Sequence, residues 1–170
     1  MIRLAALLFM LPAVAWAEPA IPIAVFDVEL INTSPAPSTP EEIERTRVLG
    51  QQLRDALSRS GRYRVVDLAP VRAALDQAPA PRICNGCELP LARQVGARQA
   101  AVVWVQKVSN LILNINLHVE DVASGETVFQ RSVDIRGNTD LSWRRGATAL
   151  VGLMVGGAAA GSPGSGAAAQ

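Results

Sequence analysis

The sequence predicts an α/β domain, a five-stranded mixed sheet with helices packed mainly on one face, in the order β-α-β-α-α-β-β-β-α. Three observations carry this. Strand-like runs alternate with helical stripes through the first half of the chain. Three strand patterns between Gln99 and Arg136 follow one another with only short turns between them, as in a meander of hairpins. The fourth strand alternates strictly: Leu111, Leu113, Ile115, Leu117 and Val119 fall on one face, and Ile112, Asn114, Asn116, His118 and Glu120 on the other. Period-two alternation means one buried and one wet face.

The elements follow in order. Ile23 to Leu30 is rich in β-branched residues and reads as the first strand. Asn32 to Pro40 is a loop of Ser, Thr and Pro. Thr39, Pro40 and Glu42 then open a helix, with Thr39 as cap and Glu42 completing a capping box. Ile43, Val48, Leu49, Leu53, Ala56 and Leu57 make its apolar stripe, and Gly61 ends it. Tyr63 to Leu68 is the second strand, and Pro70 to Gln77 a short helix facing inward with Val71, Ala74 and Leu75. Leu89 to Val95 is another short helix, stopped at Gly96. Gln99 to Val108, Leu111 to Val122 and Thr127 to Arg136 are the remaining strands, turned at Ser109-Asn110 and Ser124-Gly125. Asp140 can cap a last helix from Leu141 to about Val155. Leu141, Ala147, Leu150, Val151 and Met154 form its inward face, which turns Trp143 to a different side.

The ends read differently. A basic start at Arg3, an apolar run from Leu4 to Val14 and the small-x-small triplet Ala15-Trp16-Ala17 predict a cleaved secretory leader over residues 1–17. The run is too short for a membrane-spanning helix, which needs about 20 residues. The expected product is a periplasmic protein with one domain over 18–155 and a flexible Gly/Ala-rich tail over 156–170. The chain holds 16 basic and 15 acidic residues, and loss of Arg3 balances them. Such neutrality, with 4% aromatic residues, argues against a nucleic-acid or anionic-membrane surface. No phosphate loop, nucleophile elbow or other catalytic constellation is present, so no enzyme activity and no cofactor are expected.

Several segments carry a resemblance: Ile23-Ala24-Val25-Phe26-Asp27, Arg64 to Asp67, Cys84-Asn85-Gly86-Cys87, the run from Trp104 to Leu113, and Arg136-Gly137-Asn138-Thr139-Asp140 followed by Ser142 to Gly146. Over about Ile23 to Leu150 the chain resembles an exported bacterial family of unknown function. Its element order is also similar to the N-terminal domain of TolB and to related domains of curli-secretion and penicillin-binding-protein-activator proteins. That likeness implies a domain that docks to other envelope proteins.

Candidate site residues follow from residue chemistry. Cys84 and Cys87 are the only cysteines. In an oxidising compartment they suit a disulfide, and Asn85-Gly86 favours the tight turn it needs. A redox-active pair remains open, as does a metal half-site completed by His118 or carboxylates. Covalent haem is excluded because Glu88, not histidine, follows Cys87. His118, the only histidine, has no nucleophile to serve. Asp27 and Asp67 lie near strand ends, where they mark a ligand crevice or cap a turn. Lys107, the only lysine, joins Asn110, Asn114, Asn116, Arg136, Asn138 and Asp140 in a polar set suited to binding a carboxylate or a peptide backbone. The same set can instead form an internal network that holds the last helix to the sheet. Trp143 with Arg144 has the composition of an interface anchor, though an aromatic at a helix start also serves burial. The functional expectation is a non-enzymatic periplasmic accessory protein that docks to an envelope partner. A solute-binding pocket around Asp27, Lys107, Asn110 and Arg136, or a thiol-redox factor on the two cysteines, stand as alternatives.

Overall fold

The computed structural model describes residues 18–157. The expected leader and residues 158–170 of the expected tail lie outside them. Six strands form one mixed sheet: β1 (Ile21–Val25), β2 (Glu29–Asn32), β3 (Tyr63–Val65), β4 (Gln99–Lys107), β5 (Ile112–Asp121) and β6 (Thr127–Arg136). The sheet order is β3-β1-β4-β5-β6, and β2 also pairs with β4. β1, β2 and β4 run parallel, β3 runs parallel to β1, and β5 and β6 return antiparallel as the expected meander.

The expected first strand is divided in two. Val25 lies opposite Ala101, yet Glu29 lies opposite Trp104, so this strand takes up one residue more than its partner. Such a bulge breaks the ladder and re-aims side chains. It leaves Asp27 exposed while Phe26 stays buried.

Two long helices, α1 (Pro40–Arg59) and α4 (Asp140–Gly157), cover one face. Leu49, Leu53 and Leu57 of α1, and Trp143, Ala147, Leu150, Val151 and Met154 of α4, meet the inward face of β4 and β5 in the main core. Each large aliphatic side chain there contributes about 1.5–3 kcal/mol by leaving water. The opposite face carries a smaller cluster over β1 and β4. It is made by a 3-10 turn at Ala69–Val71, α2 (Arg72–Gln77), α3 (Glu88–Gln94) and the loops around them, with Phe26, Val71, Ala92 and Val102 at its centre.

Four details of the helices depart from the pattern-based reading. Ile43 and Val48 of α1 are 55% and 42% exposed; the buried stripe is Glu42, Thr46, Leu49, Gly50, Leu53 and Leu57. On α4, Leu141 faces solvent and Trp143 is buried. The cap of α4 is Thr139 rather than Asp140: Ser142 N donates to Thr139 Oγ1 and Thr139 N donates to Ser142 Oγ, both at 3.2 Å. This reciprocal pair is a capping box with serine in the usual Glu place, and it frees Asp140 for another partner. The helix also runs through Gly156 and Gly157, which the sequence assigned to the tail.

One glycine sets the distance between α4 and the sheet. A Cβ on Gly146 would stand 2.6 Å from Ile135 Cγ2 and 2.7 Å from Ile115 Cδ1. The helix therefore lies closer to β5 and β6 than any side chain at this position allows. No helix among the described residues is long and apolar enough to cross a membrane.

Candidate functional site

Strand parity fixes the central residue. Val103, Val105 and Lys107 share one face of β4 and are 0%, 0% and 2% exposed. An ammonium held so far from water needs a paired acceptor. Glu42 supplies it: Lys107 Nζ donates to Glu42 Oε1 at 2.5 Å, with both side chains at most 3% exposed. Glu42 is placed by the capping box of α1, where Thr39 N donates to Glu42 Oε2 at 3.1 Å and Glu42 N donates to Thr39 Oγ1 at 3.3 Å.

The β6–α4 connection closes over this pair. Asn138 Nδ2 donates to Glu42 Oε1 at 2.5 Å, and Asn138 Oδ1 accepts the Trp143 indole N–H at 2.9 Å. Asn138 Nδ2 also lies 3.4 Å from Asn110 Oδ1 in the β4–β5 turn. Arg45, one turn along α1 from Glu42, donates from Nε to Asp140 Oδ1 at 2.7 Å. Burial pushes the Glu42 carboxyl up. The hydrogen bonds from Lys107, the Thr39 backbone and Asn138, with the ammonium charge, outweigh it and hold the group below its ordinary value. The arrangement ties the starts of α1 and α4 to the ends of β4 and β6.

Beside this clamp the outer surfaces of α1 and α4 enclose a groove of ≈ 460 Å³. Pro40 and Val48 give its exposed apolar part over the buried Leu49 and Trp143, and Glu41, Glu44, Arg45, Gln52, Asp140 and Arg144 form its rim. The Trp143 indole, its N–H bonded to Asn138, is 2% exposed and lies beneath the groove as part of the core. At one end Gln52 Nε2 bridges the helices by donating to the Arg144 carbonyl at 3.0 Å.

Of the sequence-predicted residues, Lys107, Asn110, Asn138, Asp140 and Trp143 are brought together in the clamp, and Arg144 borders the groove. The others lie elsewhere. Asp27 pairs with Arg72 at 2.6 Å and stands 3.9 Å from Arg54, in a hollow lined by β1, β3 and the 3-10 turn. Arg136 borders a separate hollow beside Leu141 and Arg145. The structure thus does not bring Asp27 and Arg136 to Lys107, because Lys107 is turned inward to Glu42. Asn114 and Asn116 project from the wet face of β5 and bond to each other at 2.6 Å. Asp67 lies just before the 3-10 turn, its Oδ1 accepting from Ala69 N at 2.9 Å. Glu42 and Arg45 are the participants that sequence reading missed as site residues. The signal for Glu42 was a lone lysine on the apolar parity of a strand, which requires a buried acid somewhere in the chain.

Cys84 and Cys87 are joined as a disulfide, with Cα atoms 5.5 Å apart. Asn85 and Gly86 take φ values of 55° and 96°, so the turn uses the left-handed region that this dipeptide tolerates. Next to it, a hollow of ≈ 380 Å³ on the second face of the sheet holds Glu88, His118 and Glu120. Glu88 is 3% exposed, and burial, then the neighbouring Glu120, raise its carboxyl above the ordinary value. His118 Nε2 lies 2.9 Å from Thr127 Oγ1 and 3.9 Å from Glu120 Oε1.

The fold of this single-sheet domain recurs in solved structures. The same fold occurs in Lipoprotein GNA1162 from Neisseria meningitidis, with a TM-score of 0.52 and 20% identity over 86% of this chain and 100% of that one. It occurs again in the C-terminal domain of LpoB from Escherichia coli, with a TM-score of 0.50 and 17% identity over 71% and 87%. TolB from Acinetobacter baumannii aligns at a TM-score of 0.48 and 12% identity, over 79% of this chain and 27% of that one. By sequence the chain belongs to the DUF3280 family, described as a protein of unknown function (DUF2380), which matches residues 22–153. No curated protein matches the chain.

Proposed function

We propose that this is a non-enzymatic accessory domain of the periplasm that docks a short peptide segment of another envelope protein in the groove between α1 and α4. The observation that carries the reading is the groove itself, an exposed apolar patch of Pro40 and Val48 over the buried Leu49 and Trp143, between two helices that the Glu42–Lys107–Asn138 clamp holds in place. A preorganised apolar slot with a polar rim is the form that peptide-docking surfaces take. The rim has Glu41 and Glu44 on α1 and Arg144 on α4. This suits a segment with an apolar anchor flanked by charges of both signs. Several charged groups on the rim are already paired, Arg45 with Asp140 and Glu44 with Arg47. That favours recognition over acid–base chemistry. The leader-like start of the sequence and a fold shared with a lipoprotein support the location.

A photo-crosslinking amino acid at Val48 tests this in the living cell, with the same probe at Asn116 on the other face as control. The partner captured from position 48 is then purified, and its affinity is measured for the wild type, Val48→Glu and Arg144→Glu. The expected result is affinity at least about tenfold weaker for each variant, with melting unchanged. Crosslinks only from Asn116, or variants that bind as the wild type does, would refute the proposal.

A further inference from the structure

The second face of the sheet holds a group of side chains that the docking reading does not use. The Cys84 and Cys87 sulfurs and a Glu88 carboxylate oxygen all lie within 4.8 Å of one another. Ligands about 2.0–2.3 Å from a tetrahedral metal centre stand roughly 3.3–3.8 Å apart, so the three reach one ion with small side-chain movements. Glu88 is a buried carboxyl whose neighbours are its own backbone N–H and the Glu120 carboxyl. Its Oε2 lies 3.1 Å from Cys84 Sγ, and a disulfide sulfur has no proton to donate. The carboxyl is 3% exposed and opens on the hollow that His118 and Glu120 line. The turn is shaped for a thiolate as well, since Cys87 N donates toward Cys84 Sγ at 3.1 Å. An amide N–H aimed at sulfur stabilises the anion.

We propose that reduction of the Cys84–Cys87 disulfide turns this corner into a binding site for a zinc-class divalent cation, with Cys84, Cys87 and Glu88 as ligands and the fourth position facing His118. The chemistry balances. A dithiol reductant supplies two electrons and two protons. The S–S bond breaks, two thiols form and the reductant becomes a disulfide. When the cation binds, both thiols release their protons to solvent and Glu88 binds as its carboxylate. The oxidised protein has no thiolate to offer, so metal occupancy reports the redox state of the pair.

The test is a cobalt(II) titration of the full chain, run without oxygen, before and after reduction with a non-chelating phosphine. Circular dichroism is recorded on each sample. The expected result is one cobalt per chain in the reduced protein, with the charge-transfer band of thiolate-bound tetrahedral cobalt, and none in the oxidised protein. Glu88→Gln keeps the shape of the side chain and removes the anionic ligand, and it should weaken binding by at least about tenfold. Cys84→Ser with Cys87→Ser should abolish the band. A folded reduced protein without a thiolate–cobalt band would overturn the proposal. So would equal binding by the oxidised protein. Binding by Glu88→Gln as tight as wild type would show that the two thiols act as in an unfolded peptide, and would also overturn it.

Discussion

Replacing Lys107 with methionine perturbs the clamp at its centre while keeping most of the side-chain volume. The Glu42 carboxylate then keeps the Thr39 amide and the Asn138 amide as donors but loses the cation 2.5 Å away. Both partners are at most 3% exposed, so water does not replace the ammonium. Breaking a buried pair on one side costs roughly 3–5 kcal/mol, and the two retained donors place this case near the lower end. Replacing Glu42 with leucine as well removes the orphaned charge, so the double variant should recover much of the loss, short of about 1 kcal/mol for the broken capping box. Urea unfolding at neutral pH, run as a double-mutant cycle, measures these differences. The pH dependence has a definite sign. The folded Glu42 carboxyl sits below its ordinary value of 4.5, so its stabilisation is present above that pH and is lost as acid protonates the folded form. The gap between wild type and Lys107→Met should therefore narrow as pH falls, because the unfolded carboxyl is common to both and only the folded values differ. A loss under about 1 kcal/mol for Lys107→Met, or single effects that simply add, would refute the argument that this pair is buried and coupled.

Two further outcomes are expected. Gly146→Ala adds a methyl group 2.6 Å from Ile135 Cγ2 and 2.7 Å from Ile115 Cδ1. It should lower stability by about 1–3 kcal/mol although alanine is the better helix former, and thermal melting that shows a gain would contradict the close approach of α4. Glu88→Gln in the disulfide form should change the slope of stability with pH. The raised folded value of Glu88 means that stability is present at acid pH and is lost as pH rises past 4.5 and through that value. The glutamine variant should gain on wild type over this rise in chemical-denaturation experiments, and parallel curves would count against a buried, uncompensated carboxyl.

How much was legible in the sequence follows from what each residue needs. Element types and order came from periodicity, which is local: alternation in β5, the capping box at Thr39 and Glu42, and the Asn85-Gly86 turn each contain their own reason. Three features depended on distant partners and escaped, and one local feature, the cap of α4, was also misassigned. The bulge at Asp27 arises from a mismatch with β4, about 75 residues away in sequence, and has no Gly or Pro to mark it. The α1 stripe was rotated because Ile43 and Val48 fit an apolar stripe as well as Thr46 and Gly50 do not. Gly50 is buried because Val28 stands against it at 3.4 Å from a notional Cβ. The polar set around Lys107 was partly legible. Its members on β4, the β4–β5 turn and α4 were recognised, but their acceptor, Glu42, was counted only as a cap. The helix cap was assigned to Asp140 because Asp is a strong capping residue, whereas Thr139 and Ser142 satisfy each other and Arg45 takes the carboxylate.

The contrast between Glu42 and Glu88 separates what holds the fold from what remains available for chemistry. Both are glutamates at the start of a helix, and both are buried. Glu42 faces a cation, a backbone amide and a side-chain amide, and these lower its carboxyl despite burial. Glu88 faces a sulfur without a proton and a second carboxylate, and its carboxyl is raised. The first environment is satisfied in the folded chain, and altering it costs stability. It fixes how α1 and α4 lie, and with them the width of the groove. The second has its own backbone N–H and a neighbouring carboxyl but no paired cation donor while the disulfide is intact, and a proton or a cation relieves it. Buried polar groups without partners persist where the surrounding fold outweighs their cost, and such places are where function concentrates. By that reasoning the clamp is the framework of the docking face, and the corner formed by Cys84, Cys87 and Glu88 is the part of the molecule whose chemistry is still open to change.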